Sequence, residues 1–264
     1  MAGKAVKGVA KGSVQSLNRA LGLMTCLADN SDGLSLADLA RDMELAPSTA
    51  HRLLTSLQAL DYVNFDSSEA KWFVGIGAFR VGVGYLRRRD HIGVARQEMR
   101  KLVEQTGETS NLAVLLKGRL TFVAQIECNE VMRMAVALGA QGPLHASAVG
   151  KAILAFSSNE EQVSALKLID YFYLTDKTHS DAKSLGRDLE TVRSRGFAMD
   201  DEEQSEGLRC IGAPIFNEYG EPISAVSISG PTVRVSEERT AEFAEAVVST
   251  AAQITSKIGG VQPN

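Results

Sequence analysis

The chain has 264 residues, of which 44% are hydrophobic and 23% charged, a composition that supports a buried core and excludes wholesale disorder. Its 28 Lys and Arg against 32 Asp and Glu give a net charge of −4, so it is not a generally basic nucleic-acid coat. No uncharged apolar run reaches the ~20 residues that span a bilayer, and no membrane partner is expected.

At ~100–200 residues per domain, the length accommodates one large or two modest domains. Charge favours two: residues 1–91 carry 11 basic and 9 acidic side chains, the remainder 17 and 23. A mildly positive N-terminal part on an acidic body points to separate jobs. Cys26, Cys128 and Cys210 show neither metal-ligand spacing nor an even disulfide set, which suits a reducing compartment. Lys4, Lys7 and Lys11 have no apolar run behind them, so a secretory signal is not expected and a cytoplasmic location is. Residues 1–13, rich in Gly, Ala and Lys, read as a flexible tail.

The first helix follows from Val14, Leu17, Ala20, Leu21, Met24, Leu27 and Ala28 at helical spacing, with Ser13 as its cap. After the turn cluster Asp29 to Gly33, Ser35 caps a short helix from Leu36 to about Met43. Pro47 fits the first position of the next helix, because its missing N–H has no partner there. That helix runs to about Leu60 and buries Ala50, Leu53, Leu54, Leu57 and Leu60. Two short helices and a three-residue turn form a helix-turn-helix. Its second helix presents Ser48, Thr49, His51, Arg52 and Thr55, hydroxyls and a forked cation suited to phosphate oxygens and base edges. No acidic side chain falls between Pro47 and Ala59. Tyr62–Asp66 and Lys71–Val74 then read as a hairpin, a wing with Lys71 placed to meet phosphate. This pattern indicates binding to double-stranded DNA.

Residues 75–89, with Phe79, Val83 and Leu86 at helical spacing and the run Arg87-Arg88-Arg89, read as a linking helix. Gly75-Ile76-Gly77 is no dinucleotide fingerprint, since Arg80 stands where the third glycine belongs. An amphipathic helix is expected from Ile92 to Thr106. Strands follow at Thr109–Leu116, Leu120–Ile126 and Val131–Ala137, the first two joined by a tight turn at Lys117-Gly118-Arg119. Ser147 caps a helix to Phe156, and further helices cover Glu160–Leu168 and Asp181–Arg195. The last strands are Phe197–Asp200, Leu208–Phe216 and Pro222–Ser229, and Ser236 caps a final long helix. Helices and strands in this irregular order give an α+β domain on a mainly antiparallel sheet.

The final hairpin supports a sharper expectation. With Asn217–Gly220 as a four-residue turn, Phe216 faces Glu221, Cys210 faces Ser227 and Leu208 faces Ser229. All four then share one sheet face, while Ile211, Ile215, Val226 and Ile228 enter the core. A thiol and two hydroxyls among apolar neighbours need partners, and a small polar ligand is one.

Other chemistry is poorly framed. Residues 142–151 end in Gly-Lys, but seven residues separate the glycines and Ala152 replaces the hydroxyl of a P-loop. His51, His91, His145 and His179 are scattered and give no metal spacing. Cys210 or His145 as the centre of a small-molecule acyl-transfer enzyme is the competing reading, although no nucleophile-elbow motif frames either. No cofactor is expected.

Taken with Leu36-Ala37-Asp38-Leu39-Ala40 and Pro47-Ser48-Thr49-Ala50-His51-Arg52-Leu53-Leu54, the chain resembles the IclR-type transcriptional regulators from about Val14 to Ile258. The most specific stretches are Pro143 to Ala152, Asp200-Asp201-Glu202-Glu203, Gly207 to Ile215, and Ser227-Ile228-Ser229-Gly230-Pro231. The resemblance implies a winged helix-turn-helix over 14–75, a linker helix over 76–90 and a GAF-like effector domain over 91–260. It implies a pocket for a small anionic metabolite, a carboxylate, oxo acid, aromatic acid or relative of these, and the hydroxyl and thiol lining favours a small oxo acid or semialdehyde. The pocket residues carried over are the backbone of Ala148 and Val149 at a helix start, Asp200, Cys210, Ser227 and Ser229, with Met134 and Leu208 as apolar wall. It further implies a repressor of a catabolic operon, acting as a homodimer or dimer of dimers.

Overall fold

A computed structural model describes residues 14–87, 90–116 and 118–263. The tail with Ser13, Arg88 and Arg89 of the arginine run, and Lys117 of the tight turn lie outside them. Two compact units divide the chain at residues 88 and 89.

The N-terminal unit consists of α1 (Gln15–Ala28), β1 (Leu34–Ser35), α2 (Leu36–Asp42), α3 (Pro47–Gln58), β2 (Val63–Asp66), β3 (Lys71–Val74) and α4 (Ile76–Arg87). Ser35 caps α2, its Oγ accepting the Asp38 N–H at 3.2 Å, and Pro47 opens α3. The strands form an antiparallel sheet in the order β1-β3-β2. Asp66 pairs with Lys71 across the turn 67–70, as the spacing predicts. Leu23, Leu27, Leu39, Leu54, Val63 and Trp72 make one core cluster. Leu60 departs from the expected stripe and is 66% exposed. The helix stops at Gln58, and Asp61 takes a left-handed φ of 62° that turns the chain away. The two-residue β1 escapes sequence reading because it is too short to show alternation.

The C-terminal unit comprises α5 (Asp90–Thr106), β4 (Thr109–Leu116), β5 (Arg119–Ile126), β6 (Gln141–Gly142), α6 (Ala148–Phe156), α7 (Asn159–Leu168), α8 (Ala182–Arg195), β7 (Ala198–Asp201), β8 (Leu208–Phe216), β9 (Pro222–Pro231) and α9 (Thr240–Lys257). Its sheet has the order β6-β5-β4-β9-β8-β7 and every pairing is antiparallel. The fold is thus α+β, a helix-turn-helix unit followed by an antiparallel sheet flanked by helices. One sheet face packs Leu112, Ile211, Ile215, Val226 and Ile228 against Met99 and Leu102 of α5 and Phe243, Val247 and Ile254 of α9. The other packs Ala113, Phe122 and Ala225 against Val149, Ile153 and Leu154 of α6 and Leu185 and Leu189 of α8.

Three expectations need correction. Residues 131–137 form no strand; two of their backbone groups bond to side chains and the Ala137 carbonyl accepts the Ala140 N–H in a local turn. The Val136 N–H donates to Gln125 Oε1, and the Met132 carbonyl accepts from Arg234. The segment is a strap, closed at its far end where Gly139 N–H donates to the Phe122 carbonyl at 2.8 Å. Ser236 does not cap the last helix, which starts at Thr240; its carbonyl accepts the Arg239 N–H in the preceding turn. In the β8–β9 hairpin, Phe216 pairs with Pro222 and a bulge follows, so Cys210 faces Ser229 and Gly212 faces Ser227. The two one-residue slips sum to two, the period of a strand, and every side chain keeps its expected face.

Leu54 is fully buried in the small N-terminal core. Leu54→Ala is expected to lower the stability of that unit by about 2–5 kcal/mol. Urea unfolding followed by Trp72 fluorescence, the chain's one Trp, measures it.

Candidate functional site

Strand register assembles a polar surface on the sheet face beneath α6. Asp200, Cys210 and Ser229 lie side by side on β7, β8 and β9. In the adjacent row, Gly212, Ser227, Asn111 and Gln125 lie side by side across β8, β9, β4 and β5. The start of α6 rests on this surface because Gly212 has no side chain. A Cβ there would stand 3.0 Å from the Ala148 carbonyl carbon and 3.1 Å from the Val149 nitrogen. Ser147 caps the helix, its Oγ accepting the Gly150 N–H at 3.2 Å. Ala148 and Val149 are the first two helical residues, whose N–H groups have no carbonyl one turn back to bind.

Between helix start and sheet lies a cavity of about 10 Å³, barely room for one water and far below the ~300–1,000 Å³ of most ligand pockets. Met134, Ala148, Val149, Asp200, Cys210, Ser227 and Ser229 all line it, as do Phe122, Ser147 and Gln204. Leu208 does not line it. The corrected register moves Leu208 opposite Pro231, beyond Ser229, near the end of the strand pair. Phe122 reaches the cavity through a register shift in the β4–β5 pairing, which sets it opposite Ala113; a bulge of this kind leaves no sequence signal. Gln204 follows from the turn at Asp200, whose Oδ1 accepts the N–H groups of Glu203 at 2.8 Å and Gln204 at 3.1 Å.

The electrostatics suit an anion. Free N–H groups and the helix dipole favour negative charge at the α6 start. Asp200 is fully buried and its Oδ2 has no hydrogen-bond partner. Burial, reinforced by the nearby Glu203 carboxylate, pushes its pKa up to about 7. Burial also pushes the Cys210 thiol well up, with Asp200 adding to the effect. A thiol so held is a poor nucleophile. His145 does not line the cavity; its Nε2 lies 3.1 Å from the Phe172 carbonyl oxygen, and its ring packs edge-on against Tyr171 and Phe172.

Lys151, one turn into α6, is also fully buried. Its ammonium donates to Asp188 Oδ2 at 2.8 Å and to Glu203 Oε1 at 2.5 Å, so the helix is tied to the segment that carries Asp200 and Gln204. His179, scattered in sequence, joins this group with Nε2 at 3.4 Å from Asp188 and 3.7 Å from Glu203. These three residues have metal-compatible spacing, but the Lys151 ammonium already bridges the two carboxylates.

In the N-terminal unit, Ser48, His51, Arg52 and Thr55 are exposed on α3 and Thr49 is half-buried. Leu54 and Ala50 anchor the opposite face of the helix. Lys71, expected to meet phosphate, lies on the wing with partners of its own. Its ammonium donates to the Asp32 carbonyl at 3.0 Å and pairs with Glu69 at 3.3 Å, tying the wing to the loop before β1.

The raised pKa of Asp200 has a signed consequence. Because the fold favours its neutral form, the associated stability is fully present below pH ~4 and is lost as pH rises through about 7. Asp200→Asn keeps an acceptor for Glu203 and Gln204. It is expected to match the native protein near pH 4 and to exceed its stability by up to about 4 kcal/mol at pH 8, at 1.36 kcal/mol per unit. Urea titrations at the two pH values measure the difference.

Residues 16–67 match the description "IclR helix-turn-helix domain", and residues 83–256 match "Bacterial transcriptional regulator IclR C-terminal". The chain is 40% identical over 258 residues to the transcriptional repressor IclR of Escherichia coli K12, across 96% of this chain and 93% of that protein. It is 38% identical over 253 residues to the acetate operon repressor of Salmonella typhimurium LT2, across 95% and 92%. An IclR homolog from Microbacterium hydrocarbonoxydans, solved in complex with 4-hydroxybenzoate, shares the fold with a TM-score of 0.81 at 21% identity, across 92% of this chain and 99% of that one. Helix-turn-helix unit, antiparallel receiver sheet and these matches agree: the chain belongs to the IclR family of bacterial DNA-binding transcriptional regulators.

Proposed function

We propose that this regulator is a repressor of a catabolic operon, released from its operator by a small carboxylate, oxo acid or semialdehyde bound in the cavity under α6. The observation that carries the reading is the convergence of a helix N-terminus, two hydroxyls, a thiol and a buried carboxyl on one small space. The anionic head group meets the N–H groups of Ala148 and Val149, while Ser227, Ser229, Cys210 and Asp200 read the rest of the molecule. Phe122 and Met134 limit its size. The 4-hydroxybenzoate held by the Microbacterium relative supports the acid class. The reading excludes catalysis, in keeping with the raised Cys210 thiol and the engaged His145.

On the DNA side, residues 14–75 form the reading head, 76–90 the linking helix and 91–260 the receiver. Ser48, Thr49, His51, Arg52 and Thr55 contact duplex DNA in the major groove, and Lys71 supports the wing. A second copy of the chain docks on apolar side chains that α1 and α4 leave exposed, among them Leu17, Leu21, Phe79 and Val81. Exposed apolar surface of this kind marks association. Two reading heads then match a pseudo-palindromic operator, as a dimer or dimer of dimers. A cytoplasmic location accords with the function, and no described helix is long and apolar enough to cross a membrane.

Arg52→Ala is expected to weaken binding to a duplex selected by the protein from a random pool by about 1–3 kcal/mol, roughly 5- to 150-fold. Fluorescence anisotropy at physiological salt measures this, and unchanged affinity removes Arg52 from the interface. Ser227→Ala combined with Ser229→Ala is expected to keep DNA affinity and to blunt release by a panel of pyruvate, glyoxylate, succinic semialdehyde and 4-hydroxybenzoate. A double variant that still responds fully places the receptor elsewhere.

A further inference from the structure

A polar chain runs from the strap 127–140 into the cavity wall, and its direction is fixed from one end. Val136 N–H can only donate, and it donates to Gln125 Oε1 at 3.4 Å. Gln125 therefore turns its NH₂ toward Asn111, where Nε2 donates to Oδ1 at 2.7 Å. Asn111 in turn offers its own NH₂ to Ser229 Oγ at 3.2 Å. The oxygen and nitrogen of an amide are nearly alike in shape, so an isolated Asn could face either way; here a backbone donor settles every link. The Ser229 oxygen accepts from Asn111, so its own O–H can only donate, with the Cys210 sulfur beside it as one acceptor and the cavity as the other outlet. Ser229 lines the cavity, and Asn111 and Ser229 are both almost fully buried, so no bulk water competes for these groups.

We propose that Gln125 and Asn111 are positioning residues that hold the Ser229 hydroxyl as a hydrogen-bond donor toward a carbonyl or carboxylate oxygen of the ligand, and that they link this choice to the strap carrying Met134. The proposal rests on the cavity being the effector site. Neither residue touches the ligand, and their effect passes through Ser229. Gln125→Glu tests the direction of the chain without altering its shape. A glutamate carboxylate cannot donate to Asn111 Oδ1. Asn111 then reverses, turns its NH₂ toward residue 125 and presents its oxygen to Ser229, whose O–H is drawn out of the cavity.

The experiment measures pyruvate and glyoxylate affinity of the full-length protein by calorimetry, with Ser229→Ala made in three backgrounds. In the native background, Ser229→Ala is expected to weaken binding about tenfold, the loss of one buried hydrogen bond. In the Gln125→Glu background, affinity is already about tenfold lower and Ser229→Ala adds nothing. Asn111→Asp, an acceptor-only variant, should likewise abolish the Ser229→Ala effect, and it serves if Gln125→Glu fails to fold. A full tenfold Ser229→Ala effect in the folded variants overturns the proposal, because packing alone would leave it intact. Acids that bind the native protein with no Ser229→Ala effect also overturn it, while the cavity reading stands. If neither acid binds the native protein, nor succinic semialdehyde nor 4-hydroxybenzoate in their place, the cavity reading fails and the proposal falls with it.

Discussion

The close approach of the α6 start to the sheet at Gly212 is the constraint around which the C-terminal unit is arranged. Any side chain there would meet backbone atoms of Ala148 and Val149, and backbone in the first turn of a capped helix cannot easily move aside. With glycine, the helix lowers its free N–H groups onto strands that carry Asp200, Cys210, Ser227 and Ser229. The same descent buries Lys151 one turn later. An isolated buried ammonium is prohibitive, and the Asp188 and Glu203 carboxylates make it tolerable. His179 and Lys151 hold the Asp188 carboxyl low against the cost of its burial, whereas burial outweighs Lys151 at Glu203 and leaves that carboxyl raised. Because Glu203 also donates its backbone N–H to Asp200, helix position, charge cluster and cavity carboxyl form one mechanical unit. Breaking such a buried pair by removing one partner is strongly destabilising, so the cluster fixes the cavity more than it adds net stability.

Much of this was legible in the sequence for a physical reason: strand alternation depends on parity alone. The hairpin register inferred from a four-residue turn was wrong at Cys210 by two positions, yet Cys210, Ser227 and Ser229 remained on one face. A single slip would have sent all three into the core. The residues that escaped reading are those whose position depends on pairing between distant strands. Asn111 sits beside Ser227 only because β4 pairs with β9, 118 residues on from Asn111 to Ser229. Phe122 needs a register shift, and Lys151 needs acidic partners from α8 and from the turn after β7. Residues 131–137 misled through their apolar content. Val131 and Met132 are exposed, and backbone groups of the segment bond to side chains and within a local turn rather than to a neighbouring strand.

The N-terminal unit follows simpler rules. A helix stripe of Ala50 and Leu54, a proline at the first helical position and a four-residue wing turn are all local, and local signals survive into the fold. What local pattern does not show is the neighbourhood of Lys71, expected to meet phosphate: folding brings the Asp32 carbonyl within reach, and Glu69 from its own turn pairs with it. The cation that α3 presents is Arg52, exposed beside Ser48, His51 and Thr55, and the proposed reading of DNA rests chiefly on it.

A ligand changes DNA affinity only by the difference between its affinities for the two conformations. The cavity walls differ in how firmly they are held. The sheet rows are locked by continuous ladders and two packed cores, and the α6 start is fixed by Gly212 and the Lys151 cluster. The strap 127–140 instead hangs on side-chain bonds from Gln125, Arg234 and Thr109 and on two backbone bonds to Phe122, at Gly139 and Ala140. Segments with few buried apolar contacts and solvent-facing hydrogen bonds open most readily. On the proposed reading, a ligand bonded to the Ser229 hydroxyl would join a chain that ends on this strap, beside Met134 of the same strap, so the strap is the wall through which bound and unbound protein would differ.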